Sequence, residues 1–453
     1  MRNQKTVDFC TGALFGKLII FTIPILLTGI LQLLFNAVDM VVVGRFCGSA
    51  SLAAVGSTGP LTNLIIGLFM GLSVGAGIMI SHAVGAGQKK EIDRVLHTSI
   101  LSSIYIGIFL AIIGIAVCKP LLGLMGTPHD VIPKAAIYMR IIFAGMPFNI
   151  LYNFCANMLR STGDSMHPLL YLIISGFTNL ILNVLFVTLV KLDVAGVAIA
   201  TVIGQGLSVL LIMIKLAKGT EHLKLKRRKM HISKPHLIKL MTLGIPAGIQ
   251  GTMFSISNTI IQSSINTFGT VAIAGASAAG SIEGFLYIST NSFYQSVITA
   301  VGQNVGANKY NRVIKCTVIC LICVSVLSAT LGLLVRAFSA ELLSIYCPGD
   351  AQAIASGQIK LNLLGNLYFI CGFMEVLVGV IRGMGYSLTT MIVSILGVCG
   401  MRIVWIYTVF AKFHTLQCLY ISYPISWLGV AIADAVILII YMKRVHKQIT
   451  TAI

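Results

Sequence analysis

Long apolar runs alternate with short polar stretches along the whole chain, and each run has the length of about 20 residues that crosses a bilayer core as helix. Strands of a membrane barrel would instead show short segments of alternating polarity. The pattern therefore predicts an all-α polytopic membrane protein. Hydropathy and helix breakers predict twelve spans, numbered here in chain order: 17–43, 52–82, 94–118, 133–160, 167–190, 194–217, 239–266, 270–301, 313–338, 354–381, 386–411 and 420–442.

Composition and charge support this class. Of the 453 residues, 57% are hydrophobic and 10% are charged, whereas soluble domains carry about 25% charged residues. The net charge of +19 does not indicate a nucleic-acid partner, because the basic residues lie at the ends of the predicted spans rather than on one folded face. We therefore predict contacts with membrane lipid and no binding to nucleic acid.

The connections between spans differ in basic content, and this difference predicts the orientation. Some carry clusters such as Lys89, Lys90 and Arg94, whereas those on the opposite side carry one or two basic residues each, such as Arg45 and Lys191. Cytoplasmic loops hold the excess of Lys and Arg in multi-pass proteins. The distribution predicts a multi-pass protein of the plasma (inner) membrane with both termini in the cytoplasm.

The two halves of the chain resemble each other at a spacing of about 222 residues. When "IPILLTGILQLLFNAVDMVVVGRF" is aligned with "IPAGIQGTMFSISNTIIQSSINTF", Pro24 matches Pro246 and Asn36 matches Asn258. The pairs "VGAG"/"VGAN" and "LRSTGDS"/"IRGMGYS" recur at nearly the same spacing. An even number of spans per repeat predicts a parallel repeat, related by an axis along the membrane normal.

The repeat predicts two six-helix bundles around a central cavity, and the longest polar connection divides them. The predicted bundles are residues 1–217 and 239–453, joined by a basic cytoplasmic linker at 218–238. Two roles for the linker stay open, namely binding of anionic lipid headgroups and simple connection with control of topology. In span 2, a ridge formed by Gly67, Gly71 and Gly75 predicts close approach of another helix backbone.

These motifs resemble the multidrug and toxic compound extrusion (MATE) family over essentially the full length of the chain. The resemblance rests on the N-x-x-D of "FNAVDMVVVGRF", on "VGAG" and "VGQNVGAN" at the ends of spans 2 and 8, and on the Arg-x-x-Gly turns at Arg160 and Arg382. It implies efflux of amphipathic, often cationic compounds driven by inward flow of H⁺ or Na⁺. It also implies that Asp39, the acid of N-x-x-D, belongs to an ion-coupling site.

Four polar residues in spans 1, 5 and 6 form the predicted ion-coupling site. Asp39 lies six residues before Arg45, roughly 9 Å from the predicted outer end of its helix. Asn183 and Thr201 each lie eight residues from the predicted outer end of their spans, roughly 12 Å deep. Asn179 is one turn deeper on the face of Asn183. The resemblance places ion-site residues at these same positions, where the oxygens suit either H⁺ exchange or Na⁺ binding.

The chain departs from many relatives at Asn183, where they carry a second acid. A single carboxylate favours H⁺ exchange on Asp39 over tight Na⁺ binding, although either ion stays open. We predict no cofactor, and no metal beyond a possible Na⁺ at Asp39. In the second half Ile261 occupies the position of Asp39, which predicts one coupling site per chain. Hydrogen bonding between helices is the alternative role, chiefly for the amide and hydroxyl residues.

Other polar groups inside predicted spans are candidates for contact with substrate. Glu283 and Glu375 could each attract a cationic substrate or pair with a base such as Lys360 or Arg402, and both possibilities stay open. Pro24 removes a backbone hydrogen bond from span 1 and predicts a hinge there. The candidates for the substrate cavity are Asn36, Glu283, Glu375 and Arg402.

Together these features predict a monomeric antiporter that exports amphipathic, cationic small molecules by alternating access, rather than an enzyme. One alternative is a flippase for a lipid-linked saccharide from the same broad superfamily, which would more often have extra spans and a cavity lined by several cations. A membrane-embedded enzyme is the other alternative. It is disfavoured because the sequence contains no DDxxD or HExxH motif and no clustered pair of histidines.

Overall fold

The computed structural model describes residues 6–124, 127–128 and 131–451, and within these residues the secondary structure is helical, without a β-strand. The helices of the first half are α1 (Leu14–Phe46), α2 (Ser49–Gly85), α3 (Lys89–Leu124), α4 (Ile132–Ala144), α5 (Met146–Ser161), α6 (Met166–Thr188) and α7 (Asp193–Lys218).

The second half repeats this order with more irregular helices. Two π-helical stretches, Ile395–Gly400 and Ile406–Phe410, lie on either side of α14, so that Ser387–Phe410 forms one continuous span. The helices are α8 (Lys234–Asn266), α9 (Thr270–Gly306), α10 (Tyr310–Ala337), α11 (Ser339–Tyr346), α12 (Ala351–Gly383), α13 (Ser387–Ser394), α14 (Met401–Trp405) and α15 (Leu416–Thr451).

Eleven spans in the described residues are long and apolar enough to cross a membrane, and the bent pair α4–α5 gives a twelfth. The all-α polytopic fold predicted from the sequence is therefore confirmed. The span predicted over 133–160 corresponds to this pair, and the sequence did not predict that α4 and α5 meet at 46° beside Gly145. Pro147, in the first turn of α5, has no backbone N–H with which to continue the hydrogen-bond ladder of α4.

Backbone turns recur in the two halves as the sequence motifs do. Gly48 precedes α2 with a φ of 84°, and Gly269 precedes α9 with a φ of 87°. Gly163 and Gly385, in the paired Arg-x-x-Gly turns, have φ angles of 91° and 98°. Side chains rarely tolerate this left-handed region, so glycine is required at these turns. The halves thus share local structure as well as sequence.

The chain forms two compact units. The first contains the described residues up to Asp8 and Ile23–Gly248, and the second contains Phe9–Thr22 and the chain from Ile249 onward. Helix α1 is thus divided between the units directly before Pro24, and α8 is divided two residues after Pro246. The sequence-based bundle boundaries at 217 and 239, and the predicted central cavity, stay predictions.

A cluster of buried valines in the first unit aligns three helices around the candidate ion site. The cluster includes Val43 of α1, Val187 of α6 and Val197 of α7. Each of these valines lies four residues from a polar residue of the candidate site and hence on the same helix face. The pairs are Val43 with Asp39, Val187 with Asn183, and Val197 with Thr201.

In the second unit, small residues bring α9 and α12 close together. A Cβ atom on Gly275 would lie 2.4 Å from the carbonyl oxygen of Ala353, so only glycine fits at this contact. Ile282 of α9 and Leu361 of α12 belong to one buried cluster. Their sequence neighbours Glu283 and Lys360 therefore lie close to each other inside the unit.

The predicted linker contacts the beginning of α3 within the first unit. Lys229 Nζ lies 2.6 Å from Asp93 Oδ2, and His236 Nε2 lies 3.0 Å from Glu91 Oε2. These contacts hold the basic segment along the helix end. A role in binding anionic lipid stays a prediction.

Candidate functional site

Asp39 lies about seven turns from the start of the long helix α1, among apolar neighbours, and its carboxylate contacts α6. Asn183 Nδ2 donates a hydrogen bond to Asp39 Oδ1 over 2.5 Å. Asn183 is fully buried, and Asp39 is half-buried. The valine cluster described above fixes the face of each helix, so the two side chains meet within one layer of the unit.

Asn179 and Thr201 complete this polar layer. The side-chain amide of Asn179 satisfies its partners when its nitrogen faces Asp39 Oδ1 at 3.1 Å and its oxygen accepts from the Thr201 backbone N–H at 3.1 Å. Thr201 also donates to the carbonyl oxygen of Val197 within α7. The structure therefore brings together all four residues of the predicted ion-coupling site, on α1, α6 and α7.

One oxygen in this layer has no hydrogen-bond partner among the described residues. Asn183 Oδ1 is buried and receives no hydrogen bond, whereas the nitrogen of the same amide donates a hydrogen bond to Asp39. An unsatisfied buried acceptor is costly and calls for a proton donor or a cation. The layer thus holds one carboxylate and neutral oxygen groups, a donor set that suits H⁺ or a hard cation such as Na⁺.

The end of the first unit nearest Asp39 carries an ion pair. Lys134 Nζ of α4 lies 2.7 Å from Asp193 Oδ2 at the start of α7 and donates to Ser51 Oγ over 2.8 Å. Burial, together with the neighbouring Asp193 carboxylate, raises the pKa of the Cys47 thiol between α1 and α2 to about 11. The thiol therefore stays protonated at neutral pH, and the ion pair ties α4 to α7 at this end.

Glu283 and Lys360 form a buried ion pair in the second unit. Lys360 Nζ lies 2.7 Å from Glu283 Oε2, with side-chain exposures of 9% and 18%. The Lys360 ammonium also lies 6.0 Å from the centre of the Tyr420 ring. Of the two possibilities left open for Glu283, internal pairing is the one that this geometry displays.

Arg402 is buried between the two π-helical stretches of the second unit. Its Nη1 donates to Asn258 Oδ1 over 3.0 Å and its Nε donates to Ser426 Oγ over 3.2 Å. The guanidinium carbon lies 4.1 Å from the centre of the Tyr423 ring. Asn258 is the repeat partner of Asn36, so this cluster occupies the part of the second half that matches the Asp39 layer.

Glu375 is buried in α12. It makes no ion pair within 4 Å among the described residues, and it interacts electrostatically with Arg382. Arg382 itself donates to Tyr294 and to Gln250. Asp434 of α15, which is fully buried, also interacts electrostatically with Arg382. Among the described residues Glu375 thus forms no ion pair with Lys360 or Arg402, the two bases considered for it.

Asn36 and Pro24 lie on α1, on the same helix as Asp39. Asn36 is exposed, one turn before the carboxylate. Pro24 lies within α1, which continues through it, and Thr28 donates to the Pro24 carbonyl oxygen over 2.7 Å. A proline inside a helix leaves a carbonyl without its usual partner, and the backbone bends there more easily.

Three residues of these clusters were not among the sequence-based candidates. Tyr138 of α4 packs against the valine cluster and interacts electrostatically with Asp39. Tyr423 and Ser426 of α15 both contact Arg402. Tyr423 and Ser426 lie one turn apart on the last predicted span. This spacing was the only signal for them in the sequence, and it does not reveal that Arg402 is their partner.

The comparisons with known proteins agree with this architecture. A family model described as MatE matches residues 24–185 and again residues 246–408, so the two matches begin at the prolines of the predicted repeat. The probable multidrug resistance protein YoeA of Bacillus subtilis (strain 168) is 30% identical over 446 residues, which cover 96% of this chain and 95% of the relative. The multidrug export protein MepA of Staphylococcus haemolyticus (strain JCSC1435) is 20% identical over 375 residues, covering 81% and 83%.

A solved structure shows the same fold. The outward-facing conformation of a multidrug resistance MATE family transporter of the MOP superfamily superimposes with a TM-score of 0.91 at 21% identity, covering 99% of this chain and 100% of that one. The family model covers most of the chain, and a curated relative is similar over nearly its whole length. This chain therefore belongs to the multidrug and toxic compound extrusion (MATE) family of efflux transporters.

Proposed function

We propose that this chain is a secondary active antiporter that exports amphipathic, cationic small molecules in exchange for H⁺ or Na⁺ by alternating access. The single observation that carries the proposal is the hydrogen-bonded carboxylate of Asp39 inside a membrane-spanning helix. Ionisable groups at such positions are costly in lipid and are characteristic of ion and proton pathways. The amide and hydroxyl groups around Asp39 supply the partners that let it change its state of charge.

The orientation of the amides favours H⁺ as the coupling ion. Asn183 Nδ2 donates to the carboxylate, and Asn179 satisfies its partners with its nitrogen toward the same carboxylate, so both amides stabilise the ionised form that takes up the proton. A bound Na⁺ would instead require amide oxygens turned toward the ion, because hard cations take oxygen ligands. Since the layer has only one carboxylate, it also offers only one negative charge to a cation.

Proton exchange at Asp39 gives a route to coupling. Protonation from the outer side removes the charge that attracts the two amides, and α1 repacks as a result. Pro24 is the hinge of this movement, because it lies next to the residues at which α1 passes from one compact unit to the other. Substrate is released outward, and deprotonation toward the cytoplasm restores the starting state.

The setting of the transporter follows from the same features. We place it in the plasma (inner) membrane as a monomer, with both termini in the cytoplasm, in accord with the distribution of basic residues. Asn36 and Glu375 are proposed to contact substrate directly, and Glu283 and Arg402 through the cluster of the second unit. No cofactor takes part apart from the coupling ion.

The test compares Asp39→Asn with the wild type in everted membrane vesicles. Uptake of a fluorescent cation is measured with a pH gradient and with a Na⁺ gradient, imposed separately. We expect Asp39→Asn to abolish gradient-driven uptake while the protein is expressed at the normal level. Glu341→Gln, which neutralises an exposed acid of α11, is the matched control and should transport normally. Normal gradient-driven uptake by Asp39→Asn would refute the coupling role.

A further inference from the structure

The polar cluster of the second unit carries an excess positive charge. Lys360 and Glu283 neutralise each other across 2.7 Å. Arg402 is 4% exposed, and no carboxylate of the described residues lies within ion-pairing distance of it. A buried charge without a counter-ion is strongly unfavourable unless hydrogen bonds and a partner of opposite sign compensate for it. The guanidinium therefore lacks an anionic partner that its surroundings would favour.

The guanidinium is held in a fixed orientation and keeps part of its donor capacity free. Nε and Nη1 donate to Ser426 and Asn258, and the Tyr423 ring covers one face. Nη2 makes no hydrogen bond with any described residue. Arginine presents a rigid fork of donors that matches a carboxylate. Because Asn258 is exposed, the cluster is open on the side of that residue.

The backbone around Arg402 is irregular, unlike its counterpart in the first half. Residues Ile395–Gly400 and Ile406–Phe410 are π-helical, whereas α6 is a regular helix. Short π-helical segments often mark functional sites. The repeat aligns this region with Asn179, so a permanent cation stands in the second half where the first half has neutral amides and Asp39. The two copies of one site therefore have opposite polarity.

We propose that Arg402, oriented by Asn258 and Tyr423, is a specificity-determining residue that binds the carboxylate of those amphiphilic substrates that carry one. The inference rests on the proposed efflux function and names a residue that sets its selectivity. A charge-assisted bond to a guanidinium is strong and directional, which makes the site selective for carboxylates.

The test uses rhodamine B, which has a free carboxylate, and its methyl ester, which is a cation of nearly the same shape. Binding of each dye to the purified full-length protein is measured by fluorescence polarisation. We expect Arg402→Gln to weaken binding of rhodamine B by roughly 10-fold, with little change for the ester. Arg336→Gln is the matched control, because this arginine donates to Asn366 over 3.0 Å at an exposed position.

A second variant keeps the test valid if Arg402→Gln does not fold. Asn258→Ala alters an exposed residue and removes the acceptor of Arg402 Nη1. The guanidinium then loses its fixed orientation, so binding of rhodamine B should weaken while binding of the ester should not. Equal losses for both dyes, or no loss for either, would overturn the carboxylate site. Binding of the ester but not of rhodamine B by the wild type would also overturn it and leave the proposed efflux function intact. Failure of the wild type to transport the ester under either gradient counts against the efflux function itself.

Discussion

Asn183 Nδ2 lies 2.5 Å from Asp39 Oδ1, so a neutral amide is in direct contact with the Asp39 carboxylate. Asn183→Asp would set two carboxylates side by side, and two such groups are both ionised only when a cation lies between them; otherwise they share a proton. We predict that this variant responds to Na⁺ at a concentration roughly 10-fold lower than the wild type does. The measurement is efflux from proteoliposomes at several Na⁺ concentrations and constant pH.

The matched control for this variant is Asn157→Asp, which adds an acid elsewhere in the same unit. Asn157 donates to Ser73 Oγ over 2.6 Å, away from the Asp39 layer. This control should keep the Na⁺ response of the wild type. An unchanged response of Asn183→Asp would contradict the assignment of the layer as the ion site, and a shifted response of Asn157→Asp would show that any added acid has the effect.

The buried pair of Glu283 and Lys360 leads to a prediction about stability. Glu283→Gln leaves the Lys360 ammonium, whose side chain is 9% exposed, without the carboxylate that lies 2.7 Å away. Loss of one member of a buried pair costs about 3–5 kcal/mol. We therefore expect a clear fall in the apparent midpoint of thermal unfolding in detergent. Glu283→Gln combined with Lys360→Met should recover much of that loss, because no uncompensated charge remains.

An exposed pair provides the control for this stability measurement. Lys229 and Asp93 lie 2.6 Å apart, with the lysine side chain 51% exposed. Exposed pairs contribute about 0–1 kcal/mol, so Asp93→Asn should leave the midpoint nearly unchanged. If Glu283→Gln has as small an effect as Asp93→Asn, the pair in the second unit is not buried in solution.

The layer of Asp39, Asn183 and Thr201 could be predicted from the sequence because two simple regularities determine it. Basic residues mark the ends of the spans, and the constant rise of a helix converts sequence distance into depth. The buried valines one turn from each of these residues, which fix the helix faces, are seen only in the structure. What the sequence could not predict is the orientation of the amides, since hydrogen-bond direction depends on partners from other helices.

The partners of Arg402 were beyond sequence reasoning for a related reason. Tyr423 and Ser426 lie on the last span, and their contact with the guanidinium depends on how α15 packs against the π-helical region. Hydropathy reports neither the helix pairs nor a change from α- to π-helical winding. The bend at Gly145 was missed similarly, because a glycine followed by a proline two residues later leaves the apolar run uninterrupted.

The glycine ridge of α2 gives the last prediction, since the structure uses only part of it. A Cβ atom on Gly71 would lie 2.1 Å from the backbone nitrogen of Gly248 on α8, and one on Gly75 would lie 2.8 Å from the carbonyl oxygen of Leu240. A Cβ atom on Gly67 would meet nothing within 4 Å. The motif alone treats the three glycines as equivalent, whereas the packing of α8 within the first unit distinguishes them.

We therefore expect Gly71→Ala to destabilise the protein, because the backbone of α8 must move to admit the methyl group. Overpacking of this kind costs about 1–3 kcal/mol, which should appear as a lower thermal midpoint and a smaller yield of monodisperse protein in detergent. Gly67→Ala is the matched control on the same helix, and it should be neutral or slightly stabilising because alanine favours helix over glycine. Equal midpoints for the two variants would mean that α2 and α8 do not approach each other at Gly71 in the membrane protein.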